Sequence, residues 1–206
     1  KLDLYSNQDK ICDLDLTQFN TDIEKYTTLK RSILIKLLKD KLFSNLISFG
    51  KVIDSVKQDQ DILKIKFKDG SIEEVDYLVV SDGVFSQTKS IIEKTSSESN
   101  YYGAVAVRAQ IKSKDVSEFK AENISLIMSA KAHLVSYPIN NNGDINLVCI
   151  LRKKLNEKKT IEQSLSERIV NKNKNLLSFF KGNLKSWSIY TSSKPTKSTL
   201  KKVFYI

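Results

Sequence analysis

The sequence has few of the residues that build metal sites and disulfide frameworks. Among its 206 residues there are two cysteines, Cys12 and Cys149, and one histidine, His133. The cysteines lie far apart and no Cys or His stands at metal-ligand spacing, which excludes a structural zinc site. Two cysteines are also too few for a disulfide framework, and no signal-peptide segment is visible. We therefore expect a reducing, cytoplasmic environment.

Long apolar runs and glycine-rich loops are also missing. No run of about 18 apolar residues occurs, so we expect no transmembrane segment. The six glycines form no Gly-x-Gly-x-x-Gly loop, and a complete dinucleotide-binding site is therefore not encoded in these residues. His133 has no Ser, Cys and Asp pattern around it and is expected to be a strand residue, so the catalytic residues stay unassigned.

Positive charge is present in excess but is not concentrated. Lysine and arginine number 34 against 24 acidic residues, which gives a net charge of +10. The lysines are scattered along the chain and no aromatic platform is interleaved with them, so we expect no specific nucleic-acid partner. A basic module that binds nucleic acid weakly, and releases it on addition of salt, remains the weaker alternative. The 40% hydrophobic content is enough to bury a core.

The first half of the chain changes its periodicity three times. After a polar opening that we expect to be irregular, a helical stripe runs from Thr28 to Leu46, with Thr28 as N-cap. A hairpin follows, and the turn Asp69-Gly70 leads into a third short strand. The apolar run Tyr77–Val80 predicts a central parallel strand covered on both faces. Ser86 is placed to cap the next helix.

The second half reads as a sheet. The polar run Thr95–Asn100 is the best linker candidate, and Lys194-Pro195 predicts a turn. An amphipathic helix is expected over Ile161–Val170. Strands are expected at Ala104–Ile111, Ile124–Met128, Leu134–Ile139, Ile145–Leu151, around Trp187–Tyr190, and at Val203–Ile206.

These elements predict an α/β (α+β) protein of two lobes. One lobe would be partial and Rossmann-like with a β-meander, and the other would have a mixed sheet. The family resemblance given by the motifs below implies that the first lobe is FAD-binding and the second substrate-binding. On that basis we expect residues 1–22 to be strands or a loop leading from the substrate lobe, the central part of the FAD-binding domain at 23–95, the substrate-binding domain at 96–198, and a truncated return strand at 199–206.

Two positions are candidates for nucleotide contact. In open sheets flanked by helices, ligands bind outside the carboxyl ends of parallel strands, where Asp82 and Gly83 follow Tyr77–Val80. A carboxylate there can accept hydrogen bonds from a ribose, and a glycine lets a cofactor approach the backbone. Arg31 offers a planar fork suited to a diphosphate. A plain turn at Asp82-Gly83 and a solvated charge at Arg31 are the alternatives.

Three stretches resemble the FAD-dependent aromatic monooxygenases, the family of 4-hydroxybenzoate hydroxylase, salicylate hydroxylase and the ubiquinone-pathway hydroxylases. Leu29–Leu34 is similar to the family's arginine-led helix. Gly50–Val52 with the following hairpin resembles the segment in which a valine backbone meets the adenine. Tyr77–Lys89 is similar to the family's motif of an apolar strand, Asp-Gly, Ser and a basic residue.

The resemblance implies residue roles and a reaction. Arg31, Val52, Asp82 and Gly83 would contact FAD, while Arg108 and Tyr137 would lie in the aromatic pocket, for which ordinary sheet packing is the alternative. The family uses NADH or NADPH and O2 to hydroxylate a phenolic-acid-like aromatic substrate through a flavin hydroperoxide. FAD supplies that chemistry, and the protein positions the ring.

The resemblance also implies that the chain is an internal fragment. The family's Gly-x-Gly-x-x-Gly hairpin would precede Lys1 and its Gly-Asp motif would follow Ile206, so we expect the fragment alone to be inactive. A related FAD-dependent reductase or halogenase with the same fold is the alternative to a hydroxylase. The oligomeric state is left unassigned.

Overall fold

The chain folds into strands with few helices. The computed structural model describes residues 1–6, 9–17, 27–95, 99–117, 120–140, 142–169, 174–180, 185–192 and 197–206. Two compact units are present: unit 1 comprises Lys1–Lys41 and Gly103–Ile189, and unit 2 comprises Leu42–Tyr102 and Tyr190–Ile206. No helix in these described ranges combines the length and apolar character needed to cross a bilayer.

Unit 1 contains a mixed sheet of seven strands. The strands are β1 Leu2–Ser6, β2 Asp9–Leu14, β7 Ser99–Lys112, β8 Ile124–Met128, β9 Ala132–Pro138, β10 Asp144–Arg152 and β11 Lys185–Ser192. Their order in the sheet is β11-β7-β10-β9-β8-β1-β2, and β7 and β11 continue into residues of unit 2. β1 pairs in parallel with β8, whereas β1 with β2, β8 with β9, and β10 with both β9 and β7 are antiparallel.

One face of this sheet is closed by helices. Because side chains alternate along a strand, Leu147, Cys149 and Leu151 of β10 point to the same face, and all three are fully buried. They pack in one apolar cluster with residues of helices α3 (Ile161–Arg168) and α4 (Lys174–Leu177). The helix α1 (Arg31–Asp40), also in unit 1, buries none of its residues. The opposite face of β10, termed the polar face, carries Asp144, Asn146 and Arg152 together with Val148 and Ile150.

Unit 2 is built from two small sheets and one helix. Strands β3 (Ile53–Asp59), β4 (Ile62–Phe67) and β5 (Ile72–Val75) form an antiparallel meander. Strand β6 (Leu78–Val80) pairs in parallel with β12 (Val203–Tyr205). The core of the unit contains Leu63, Val80, Ile92 and Val203. These residues come from β4, β6, helix α2 (Gln87–Glu93) and β12.

Most of the expected elements are confirmed, together with the α/β (α+β) class. The hairpin, the turn at Asp69-Gly70, the four strands between 99 and 152 and the last strand are all present. Ser86 is the N-cap of α2, and its hydroxyl accepts a hydrogen bond from the Lys89 backbone N–H at 3.0 Å. The turn at Lys194-Pro195 and residues 96–98 of the expected linker lie outside the described residues.

Three local predictions are wrong. The opening segment is not irregular, because β1 and β2 extend the sheet of unit 1. Helix α1 begins at Arg31, since the Thr28 hydroxyl donates to the Pro138 carbonyl oxygen instead of capping the helix. The strand Leu78–Val80 is parallel but not central: among the described strands it pairs only with β12, and Val79 is 54% exposed.

The unit boundaries also differ from the expected domain boundaries. They fall after residues 41, 102 and 189, not after 22, 95 and 198. Helix α1 is grouped with the seven-stranded sheet because the segment before it is held there by hydrogen bonds from Thr28 and Lys30. Which unit holds FAD and which holds substrate stays a prediction.

Candidate functional site

The polar face of the seven-stranded sheet borders a cavity of about 600 Å³ within unit 1. Its walls come from the start of α1 and from strands β7, β9, β10 and β11. Four lining side chains are cationic: Lys30, Arg31, Arg108 and Lys185. The others are uncharged: Leu29, Ser32, Leu34, Gln110, Tyr137, Ile139, Asn146 and Trp187.

Strand register brings part of this wall together. Asn146 of β10 pairs with Gln110 of β7 on one side and with Tyr137 of β9 on the other. Directly opposed residues on neighbouring strands point to the same face. The three side chains therefore form a row across the sheet, and Arg108 lies two residues from Gln110 on that face.

The charge of the cavity is positive. No carboxylate is among the described residues that line it. Lys30 forms a long ion pair with Asp144 at 3.5 Å, whereas neither Arg31 nor Lys185 has an ion pair with any described residue. The Arg108 guanidinium lies 5.3 Å from the centroid of the Trp187 ring, within cation–π range. Uncompensated guanidinium and ammonium groups around an acid-free cavity favour an anionic ligand.

Asp144 fastens the segment before α1 to the sheet. It is 7% exposed, and its carboxylate accepts hydrogen bonds from the Lys112 ammonium and the Asn140 amide. The Lys30 ammonium approaches the same carboxylate. These hydrogen bonds, with Lys112 contributing most, lower the pKa of Asp144 to about 2. The carboxylate is therefore ionised at neutral pH and holds Lys30 next to Arg31 at the cavity.

This pKa predicts an acid-dependent loss of stability. The folded-state pKa of about 2 lies below the ordinary value of 3.8, so Asp144 stabilises the fold fully above pH 3.8, and this stabilisation is lost as the pH falls toward 2. Asp144→Asn should remove that part of the pH dependence. The measurement is the melting temperature across this pH range, with Asp61→Asn as control because Asp61 has a 93% exposed side chain. Equal pH profiles for wild type and Asp144→Asn would contradict the prediction.

The Asp82-Gly83 segment forms a second candidate site, in unit 2. It borders a smaller cavity of about 250 Å³, which is also lined by Ile53, β6 and Thr88. The Asp82 carboxylate accepts a hydrogen bond from the Thr88 backbone N–H at 3.2 Å. Burial raises the pKa of Asp82, but hydrogen bonds from Ser86 and Thr88 outweigh this and keep the pKa below its usual value. Asp82 is therefore an anionic hydrogen-bond acceptor with one oxygen directed to the start of α2.

Gly83 and Val52 are both accessible from solvent. Gly83 has φ +84°, and an added Cβ would meet no atom within 4 Å. Only glycine adopts this backbone conformation readily, and a ligand can approach the peptide closely there. Val52 is 46% exposed, and its carbonyl oxygen already accepts a hydrogen bond from the Lys68 N–H at 2.8 Å.

The structure thus groups the predicted site residues in two sets. Arg31, Arg108 and Tyr137 line the same cavity of unit 1, whereas Val52 and Asp82-Gly83 belong to unit 2. Their roles toward FAD and substrate stay predictions. His133 lies on β9 as expected, and the described residues contain no cluster of three or more potential metal ligands.

Sequence reasoning did not identify Lys185, Gln110, Asn146 or Trp187 as site residues. The sequence does contain a signal for Asn146, because this residue interrupts the apolar run Ile145–Leu151. Since side chains alternate along a strand, a polar residue within such a run indicates the face opposite the core. Gln110 follows Arg108 at the same spacing. The position of β11 beside β7 has no comparable local signal.

Comparison with known proteins agrees with this fold. No family model matches the chain. It is 32% identical over 84 residues to 6-hydroxynicotinate 3-monooxygenase of Bordetella bronchiseptica, covering 41% of this chain and 22% of that protein. It is 28% identical over 130 residues to the FAD-dependent monooxygenase eupB of Phoma sp, covering 59% of this chain and 29% of that protein.

A solved structure extends the likeness to the whole chain. Klebsiella pneumoniae HpxO, in complex with FAD and uric acid, matches with a TM-score of 0.79 and 14% identity, over 100% of this chain and 55% of that one. The resemblance to FAD-dependent monooxygenases is therefore confirmed. The chain spans about half the length of this structural relative, and its matches cover less than a third of the two curated relatives.

Proposed function

We propose that this chain forms the substrate-binding sheet and part of the FAD-binding region of an FAD-dependent monooxygenase. The enzyme would use NADH or NADPH and O2 to hydroxylate an aromatic acid in the cytoplasm. The observation that carries the proposal is the cavity of unit 1, whose described walls contain no carboxylate and in which Arg31, Arg108 and Tyr137 occur together with Lys185 and Trp187.

The chemistry of the cavity suits an aromatic anion. Its volume of about 600 Å³ is in the range of small-molecule sites. Arg108 and Lys185 can bind a carboxylate, and Arg108 does so with a fork of paired donors. Trp187 and Tyr137 supply flat apolar surface for a ring. The cavity therefore offers both a cationic group for the carboxylate and a flat apolar surface for the ring.

The residues that the family resemblance assigns to FAD fit that cofactor. The Arg31 guanidinium, which has no ion pair with any described residue, could bind a phosphate. The Asp82 carboxylate has acceptor capacity for a ribose hydroxyl, and Gly83 leaves its backbone open. Bound FAD would supply the redox chemistry and the activation of O2. The chain's own residues would hold the ring, orient it and exclude water from it.

The protein that carries this chain provides the test. After purification it should show visible flavin absorbance and oxidise NADH or NADPH faster in the presence of a phenolic acid. Mass spectrometry should find a product heavier by one oxygen atom. A colourless protein would refute the proposal, and a product heavier by two hydrogens would replace the hydroxylase with the related reductase.

A further inference from the structure

Asn146 is the least exposed polar side chain that lines the cavity of unit 1. It is 5% exposed, and its Nδ2 has no hydrogen-bond partner among the described residues. Buried amide groups are nearly always hydrogen-bonded, so an unpartnered donor requires an explanation. An acceptor atom on a bound ligand would provide the missing partner.

The neighbours of Asn146 point to an uncharged acceptor. Gln110 and Tyr137 stand directly beside it on β7 and β9, and neither carries a charge at neutral pH. Two cations lie two residues from Gln110 on this face of β7: Lys112, which is ion-paired with Asp144, and Arg108, which lines the cavity. Arg108 is a diagonal neighbour of Asn146 on the adjacent strand, a separation of about 7–8 Å. That separation is comparable to the length of an aromatic ring with substituents on opposite sides.

We propose that Asn146 is a specificity-determining residue that donates a hydrogen bond from Nδ2 to an acceptor oxygen on the ring of the ligand. The preferred ligand is an aromatic or heteroaromatic acid with its anionic group at Arg108 and an uncharged oxygen substituent on the ring, as an oxo group or hydroxyl, at Asn146. This rests on the proposed function, because that function places the ring in this cavity. Nδ2 is covered in the structure. Because χ2 is broad for asparagine, the proposed hydrogen bond requires only that the amide turn about this angle when the ligand binds.

Two probes that differ by one ring oxygen test the proposal. Nicotinate and 6-hydroxynicotinate carry the same carboxylate, and only the second offers the acceptor oxygen. Calorimetric titration of the purified protein should give about tenfold tighter binding of 6-hydroxynicotinate, the ratio expected for one additional hydrogen bond. A ratio near one would overturn the inference.

Three variants test whether the ratio of the two affinities depends on Asn146. Asn146→Ala removes the donor, and the nearly isosteric Asn146→Asp replaces it with an acceptor; in both, the affinity ratio should fall to about one. Asn156→Ala is the matched control, because Asn156 is exposed and does not line the cavity. It should retain the tenfold ratio. Circular dichroism verifies that each variant is folded.

The remaining outcomes are also decisive. Retention of the tenfold ratio in folded Asn146→Asp would overturn the inference, as would failure of both probes to bind the wild type. Flavin absorbance of the same preparation separates the two proposals. A yellow protein that does not distinguish the probes keeps the proposed function and loses the role of Asn146, whereas a colourless protein loses the proposed function itself.

Discussion

Replacing Arg108 with glutamine is expected to weaken the binding of benzoate by about 10- to 100-fold, equivalent to ~1.4–3 kcal/mol. The guanidinium lines a cavity in which no carboxylate occurs among the residues that the structure describes, so an aromatic acid there gains a charge-assisted hydrogen bond that glutamine cannot provide. Glutamine also loses the contact with the Trp187 ring, which lies 5.3 Å from the guanidinium carbon. The measurement is calorimetric titration of the purified protein with benzoate.

Arg152→Gln is the control for this experiment. Arg152 lies at the end of β10, is exposed and does not line the cavity, so its replacement removes the same net charge. Benzoate affinity should then change by less than about twofold at moderate salt, because distant exposed charges are screened. If the two variants weakened binding equally, the general charge of the protein and not the cavity would attract the anion.

Replacing Leu147 with alanine is expected to lower the free energy of unfolding by about 2–5 kcal/mol. Leu147 is 0% exposed in the middle of β10, and it belongs to the apolar cluster that includes residues of α3 and α4. Truncation removes buried apolar atoms and leaves a void that the neighbouring strands β7 and β9 cannot readily fill. Urea unfolding followed by circular dichroism measures the change.

An exposed leucine provides the comparison. Leu155 is 68% exposed just beyond β10, and Leu155→Ala should change stability by no more than about 0.5 kcal/mol. A loss below about 1 kcal/mol for Leu147→Ala would mean that the sheet and the helices are not tightly packed at this point. In that case the polar face opposite Leu147 would lack a rigid support.

The sequence was sufficient for elements whose signals are local. Asp69-Gly70 defines a turn through its own conformational preferences, and Ser86 caps α2 through a bond to a residue three positions away. Thr28 has the same chemistry as Ser86. Its hydroxyl instead binds Pro138, which is 110 residues distant, and no local pattern could reveal that partner. The N-cap of α1 is therefore Lys30, two residues beyond the predicted Thr28.

The candidate site also contains residues that sequence reasoning can identify and residues whose position depends on distant segments of the chain. Arg31 is a candidate from its own side-chain chemistry, Arg108 and Tyr137 are candidates through resemblance, and the fold brings the three to one cavity. Lys185 was missed because its position depends on β11 pairing next to β7, a contact between segments about 80 residues apart. Such long-range pairing leaves no periodic trace near Lys185 itself.

The register of β10 with its neighbouring strands affects both the apolar core and the cavity, because one face of the strand packs in the core and the other borders the cavity. Asn146 and Val148 alternate with Leu147 and Cys149 along the strand. Inserting or deleting one residue early in β10 would therefore turn every later side chain to the opposite face of the sheet. The side chain of Asn146 would then point into the apolar core, and those of Leu147 and Cys149 would point to the cavity side. Homologous chains should therefore tolerate substitutions in β10 more readily than changes in its length.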